Sequence, residues 1–319
     1  MPASNVTQEE FLKVYEDSGR SPAAVSRALG VTERNVYARL NRLEKVLGTT
    51  LRSRSGHAVA KVNRDTRPNP IDLRTGVIVV GSDAHYYPGE PTTAHRGMVR
   101  VCQLLGPDIV VMNGDEFDGA TMSRHAPLGW ETRPSIAEEL EACRERMAEI
   151  KAASPGAVHL GSYGNHTVRI DNFLASHAAA AKGLPGTTFD DYFPGWTYAW
   201  AWIVNHHTLI KHRIRGGVHA AWNNTSDAQI STVTGHTHSL QVKPRTTMSP
   251  LNNGVIYGCD TGMLADPWGE QFTYMEAGPR QWRSGFAVLT FNNGILMPPE
   301  LAQVVDDGLI FFRGNVIQV

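Results

Sequence analysis

A chain of 319 residues with a net charge of -1 exceeds the needs of one average domain and can bury a core without disulfides or a structural metal. Its three cysteines, Cys102, Cys143 and Cys259, stand far apart with no CxxC pair, which excludes a disulfide framework and a thiolate zinc site and fits a reducing, cytoplasmic setting. Glu9, Glu10, Lys13, Glu16 and Asp17 exclude a signal-peptide core at the start, and no later apolar run approaches membrane-spanning length, so a soluble protein with no membrane partner is expected.

The near-neutral total conceals a split. Residues 1 to 75 hold 13 Lys+Arg against 8 Asp+Glu, and the remainder holds 17 against 23. A basic module joined to an acidic one is the pattern of a polyanion binder attached to something else.

In chain order, Phe11, Leu12, Val14 and Tyr15 have helical spacing after Thr7, and Ser18 and Gly19 stop the run. A second helix starts at Ser21 and Pro22, passes through Ala24, Val25, Ala28 and Leu29, and ends at Gly30. Thr32 is the expected N-cap of a third, whose apolar face is Val36, Leu40, Leu43, Val46 and Leu47 while Arg34, Asn35, Arg39 and Arg42 project elsewhere. The stretch AAVSRALGVTERNVYARLNRLEKVLGTTL, with Arg52 and Arg54 beyond it, resembles the helix-turn-helix of LysR-type regulators and related DNA-binding modules. The resemblance implies a small all-α domain over residues 1–57 whose third helix enters a major groove, with Arg34, Asn35 and Arg39 as the DNA-binding residues. A three-helix protein-interaction or oligomerisation module is the alternative. Residues 58–75, with Pro68 and Pro70 and no apolar periodicity, read as a basic linker.

Residues 76–319 form the second domain. Val77 to Val80 and Ile109 to Met112 read as buried strands separated by a helix from Thr92 to Leu105; a helix from Ile136 to Ala153 precedes a strand at Val158 to Leu160. Further apolar runs at Trp200 to Val204, Thr208 to Lys211, Val233-Thr234, Val255 to Tyr257 and Phe286 to Phe291 have shorter connections. Leu309 to Val319 alternates as closing strands do, with Phe311, Phe312 and Ile317 covering the sheet. The fold class is α/β (α+β), a four-layer mixed β-sandwich flanked by helices.

Four of these strands end in loops that carry metal-ligand residues beside glycine: GSDAH (81 to 85), NGDEFD (113 to 118), GSYGNH (161 to 166) and TGHTH (234 to 238). Singly, each is an ordinary turn or a solvated histidine. In this order they resemble the signature of calcineurin-like metallophosphoesterases, in particular the DNA repair exonuclease branch. That resemblance implies that Asp83, His85 and His238 bind one divalent ion, that Asn165, His212 and His236 bind another, and that Asp115 bridges both. It further implies His166 as the catalytic histidine and Asp118 as a carboxylate that orients a histidine. The signature also has an isolated histidine between GSYGNH and TGHTH, for which His212 is preferred to His219, and His206 and His207 are read as structural. Thr167 departs from the pattern, since many relatives have Asp or Glu there. Arg124 and His125, in a loop running to Pro134, are read as solvated rather than as phosphate contacts.

The chemistry implied is hydrolysis of a phosphate ester by in-line attack of a metal-bridging hydroxide, with two divalent ions, Mn2+ first and Fe or Zn as alternatives. The basic N-terminal module tilts the substrate toward phosphodiester bonds in DNA, and a homodimer fits modules of this kind. Two alternatives stand: a phosphatase of nucleotides or phosphoproteins with the N-terminal module used for docking, and a non-catalytic DNA-binding regulator.

Overall fold

The structure, a computed structural model, describes residues 6–18, 22–47, 66–123, 128–181, 183–275 and 278–319. The chain divides into two compact units, residues 1–57 and 58–319.

The first unit contains α1 (Gln8–Asp17), α2 (Pro22–Leu29) and α3 (Glu33–Leu47). Thr7 and Glu10 form a capping box, each side chain accepting from the other's backbone N–H, which fixes where α1 begins. Gly30 turns the chain at φ 63, and Thr32 Oγ1 accepts from Asn35 N at 3.3 Å to start α3. The helices close over Phe11, Tyr15, Val25, Val36, Leu40 and Leu43, all buried. Gly19, Ser21, Arg52, Arg54 and residues 58–65 of the expected linker lie outside the described residues.

The rest of that expected linker is structured. Asn69–Ile71 forms β1, paired in parallel with Trp202–Val204, and Ile71 and Leu73 are buried in the core. Pro70 is tolerated because β1 is a sheet edge, where a missing N–H leaves no ladder bond unmade.

The second unit continues through β2 (Gly76–Gly81), α4 (Thr93–Leu105), β3 (Ile109–Met112), α5 (Ile136–Ala153), β4 (Val158–Ser162), α6 (Arg169–His177) and β5 (Thr197–Ala199). It then runs through β6 (Trp202–Val204), β7 (Thr208–Ile210), α7 (Ala220–Ala228), β8 (Ser231–Thr234), β9 (Leu240–Thr246) and β10 (Val255–Thr261). The tail supplies β11 (Gly285–Asn292), β12 (Ile295–Leu296), β13 (Glu300–Asp306), β14 (Leu309–Phe312) and β15 (Asn315–Gln318). One sheet has the order β15-β14-β13-β11-β2-β3-β4-β5, with β12 on β11, and β2 to β5 run parallel. The other has the order β1-β6-β7-β8-β10-β9, and β7, β8 and β10 run parallel.

The sheets pack face to face through Ile78, Val80, Ile109, Val111 and Leu160 on one side and Trp202, Val204, Ile210, Val233 and Cys259 on the other. Alternate residues Val79, Val110 and Met112 point the other way, onto Met98, Val101 and Cys102 of α4 and Cys143, Met147 and Ile150 of α5. Burial on both faces explains why β2 and β3 read as continuous apolar runs. On the outer face of the second sheet, α7 lies so close to β10 that a Cβ on Gly258 would meet Ala221 O at 1.9 Å. Helix, sheet, sheet, helix is therefore the layer order. In β14 Ile310 and Phe312 point inward while Phe311 is exposed, because neighbours on a strand face opposite ways; the expectation that Phe311 covers the sheet is corrected. No helix among the described residues is long and apolar enough to cross a membrane, and Cys102, Cys143 and Cys259 are buried free thiols.

His95 on α4 ties this packing to pH. Its Nδ1 is 2.9 Å from Tyr86 OH and its Nε2 is 2.7 Å from Glu149 Oε2, a pairing that a neutral ring satisfies by accepting from the tyrosine and donating to the carboxylate. Burial outweighs the nearby Glu149 and pushes its pKa down from 6.5 to about 4. Between those values the unfolded chain binds the proton that the folded chain refuses, so this contribution is complete above 6.5 and lost as pH falls toward 4. Urea unfolding of wild type and His95→Gln is expected to show a stability difference that shrinks from pH 7 to pH 5, by up to about 1.4 kcal/mol per pH unit.

Candidate metal centre

The loops leaving the carboxyl ends of β2, β3 and β4 in one sheet and β7 and β8 in the other converge, the place where open parallel sheets bind ligands. Asp83 and His85 follow β2, Asp115 and Asp118 follow β3, Asn165 and His166 follow β4, His212 follows β7, and His236 and His238 follow β8. Their ligating atoms form three sets, each with all atoms within 4.8 Å of one another: Asp83, His85 and His238; Asp115, His212 and His236; His85, Asp118 and His166.

The backbone is bent to do this. Asp83 (φ 50), His85 (φ 40), Asp115 (φ 56), His236 (φ 66) and His238 (φ 56) all occupy the left-handed region. Each such non-glycine residue costs about 1–3 kcal/mol, a cost sustained only where surrounding structure enforces it. Flanking glycines make room: a Cβ on Gly164 would meet Asp115 Oδ1 at 2.0 Å, and one on Gly235 would meet Asp83 Oδ2 at 2.5 Å.

The donor atoms fit divalent cations. His85 Nε2 and Asn165 Oδ1 are buried without a hydrogen bond, a cost of about 1–3 kcal/mol apiece if nothing is bound, while His212 Nε2 faces Asp115 Oδ2 at 3.0 Å and His238 Nε2 faces Asp83 Oδ1 at 3.2 Å. The other nitrogens of two of these rings are held from behind: His85 Nδ1 is 2.8 Å from Asp118 Oδ1, and His212 Nδ1 donates to Asn113 O at 2.8 Å. Ligating histidines are fixed in this manner, and a mixture of imidazole, carboxylate and amide oxygen suits Mn, Fe or Zn.

Charge is concentrated here. Burial opposes ionisation of Asp83, but His212 and His238 outweigh it and bring its pKa down to about 2; Asp115 is held well below the ordinary range by His212 in the same way. Conversely burial opposes a proton on His212, and Asp115 and Asp83 outweigh it, raising its pKa to about 9. Burial likewise opposes charge on His166, yet Asp118 at 3.0 Å from its Nδ1, with Asp115, raises its pKa.

Six of the seven expected ligands, with Asp118 and His166, fall in these three sets, and Asn165, next to His166, lines the adjoining cleft. His219 is exposed at the start of α7, His206 is exposed in the turn from β6 to β7, and His207 is buried against Gly294 O at 2.7 Å. Thr167 joins two acidic residues, for its hydroxyl accepts from Asp115 N at 2.8 Å and donates to Glu116 Oε2 at 3.0 Å. The sequence reading missed Arg169, whose Nη2 lies 3.4 Å from His166 Nε2, and Arg213. It also missed the segment after β10, where Leu264 N donates to Ser82 O and Phe272 and Trp282 lie 5.2 Å from His85 and 4.2 Å from His238. Only a scatter of aromatic residues marked that segment. Arg124 and His125 lie outside the described residues.

In the first unit, Arg34 and Asn35 are exposed on the opening turn of α3. Arg39, the third of the expected DNA-binding residues, is half-buried; its guanidinium donates to the Val6 and Thr7 carbonyls and lies 4.7 Å over the Phe11 ring, at the start of α1.

No protein-family model matches the chain. It is similar to two relatives, each called Gene 54 protein. That of Mycobacterium phage L5 is 29% identical over 240 residues, covering 67% of this chain and 88% of the relative; that of Mycobacterium phage D29 is 26% identical over 272 residues, covering 76% and 98%. Among solved structures, one described as a novel archaeal phosphodiesterase aligns with a TM-score of 0.32 at 12% identity, over 67% of this chain and 92% of its own.

Two outcomes are expected. A metal ligand imidazole must be neutral, so cation binding at pH 7 displaces the His212 proton, and the apparent affinity rises with pH until about 9. Calorimetric Mn2+ titrations in two buffers of different ionisation enthalpy measure that proton directly. Gly164→Ala, which drives Asp115 out of place, is expected to weaken Mn2+ binding at least tenfold in the same titration.

Proposed function

We propose that the protein is a two-metal-dependent phosphoesterase that hydrolyses phosphodiester bonds in DNA. The observation that carries the reading is the convergence of buried imidazoles, ionised aspartates and the orphaned His85 Nε2 and Asn165 Oδ1 at the ends of two parallel strand runs. In this reading Asp83, His85 and His238 would hold one cation, Asn165, His212 and His236 would hold the second, and Asp115 would serve both. Divalent ions such as Mn2+ bound there supply Lewis acidity and make water nucleophilic at neutral pH.

The chain's own residues do the rest. Asp118 fixes His85 through Nδ1 and holds His166 on its other side, so it positions both rings. His166 faces the open cleft with its pKa raised, against burial, by Asp118 and Asp115, and can donate a proton to the departing ester oxygen. Water oxygen adds to phosphorus in line with that oxygen and sheds a proton to solvent, the old P–O bond breaks, the leaving alkoxide takes the His166 proton, and His166 regains one from solvent. Arg169, beside His166, faces the negative charge of the phosphoryl group.

DNA as substrate is supported by the basic excess of the N-terminal residues and by Arg34, Asn35 and Arg42 standing exposed on α3. Three helices in this order give a helix-turn-helix geometry a use, since tethering raises the local concentration of DNA.

Hydrolysis of linear and circular, single- and double-stranded DNA with Mn2+ tests both parts. EDTA is expected to abolish cleavage, and His166→Ala to lower kcat by about 10²- to 10⁴-fold. Hydrolysis of nucleotides or aryl phosphates with every DNA intact would overturn the substrate; no metal-dependent hydrolysis at all would overturn the chemistry.

A further inference from the structure

Next to the metal centre lies an open cleft of about 890 Å³; Asp118, Asn165, His166 and Arg169 line its inner end, and Phe173, His177, Arg213 and Tyr274, which the reaction above does not use, line the rest with others. One wall is a stripe of α6. Arg169, Phe173 and His177 succeed one another at four-residue intervals, so they share one helical face and climb away from His166 by about 6 Å per step. Arg169 stands at its foot, 3.4 Å from His166 Nε2.

Above it, Phe173 and His177 form a stacked pair, their ring centroids 4.4 Å apart and their planes 26° from parallel. His177 Nδ1 donates to the Phe173 carbonyl at 3.0 Å, which pins the imidazole against the phenyl ring. Phe173 is nevertheless 38% exposed, and His177 is exposed as well. A flat apolar surface held rigid and left open loses little entropy when something flat is laid on it. Tyr274, 49% exposed, lines the same cleft, as does Arg213, which makes no hydrogen bond or ion pair among the described residues. Guanidinium groups beside exposed rings are the combination that binds a polynucleotide strand: cations follow the phosphates and rings take the bases.

We infer that the Phe173–His177 pair is a platform for one unpaired nucleobase of a DNA strand, next to the phosphate held at the metal centre with Arg169 and Arg213 along the backbone. The inference rests on the nucleic-acid reading proposed above and narrows it. A base inside a duplex has both faces covered by its neighbours, so the platform selects a single strand or a frayed end.

Equilibrium binding of short single-stranded oligonucleotides, each containing one 2-aminopurine, tests this without turnover, using the full-length protein in a His166→Ala background. Quenching of the fluorophore reports stacking. Protein with the platform intact is expected to quench one position strongly and to bind the base-containing strand about 5- to 150-fold more tightly than a strand abasic at that position. Phe173→Ala is expected to remove the quenching and bring the two affinities together, while Phe173→Trp retains both. Quenching that persists in Phe173→Ala, or affinity indifferent to the missing base with the platform intact, would overturn the platform while DNA cleavage by the parent protein leaves the broader reading standing. Failure of the parent protein both to bind and to cleave DNA would overturn the two together.

Discussion

Asp83, Asp115 and Asp118 are buried in one pocket among histidines, and that concentration of charge is tolerable only with positive charge bound among them. Much of the second unit can be understood as the means of holding them. Two parallel strand runs bring their carboxyl ends together, which no single sheet could do with ligands approaching from opposite sides. The left-handed backbone at five ligands is sustained because the strands behind them are buried on both faces and cannot relax. A proton on His212 is the smallest positive charge that can occupy the centre, and it is the charge that a bound cation would replace.

Support for the ligands comes from every side. Asp118 and Asn113 O hold two rings from behind, Thr167 links Asp115 to Glu116, and Phe272 with Trp282 presses on His85 and His238 from the segment after β10. Glu139 of α5 accepts from Gly119 N at 2.6 Å and Ala120 N at 3.2 Å, which anchors the loop just beyond Asp118 to a long helix. Positions of this kind decide whether ligand atoms meet within the tolerance that metal chemistry requires.

How much of this was legible in the sequence follows from what each element depends on. Strands β2 and β3 and helices α4 and α5 were readable because local pattern and burial agree: GVIVVG and IVVM are buried on both faces, and α5 starts at Ser135 with its own capping box. The four ligand loops were readable because metal ligands beside glycine after an apolar run are rare by chance. Elements that depend on distant partners were not. β1 is three residues containing proline, made a strand by pairing with β6, and β9 is mostly polar and exists through its seven-residue register with β10. α6 and α7 are short and half exposed, and the aromatic segment over the histidines has no period at all. The contact of Arg39 with the Val6 and Thr7 carbonyls, between residues far apart in the chain, had no local signal either.

The most direct measurement is electron paramagnetic resonance of the protein loaded with Mn2+, together with the number of ions bound per chain. Two ions per chain with a spin-coupled spectrum, reduced to uncoupled signals in Asp115→Asn, is the expected result, because in the proposed function Asp115 is the carboxylate shared by both ions. A single uncoupled ion in the unaltered protein, or none, would contradict a two-cation centre and the hydrolytic chemistry built on it.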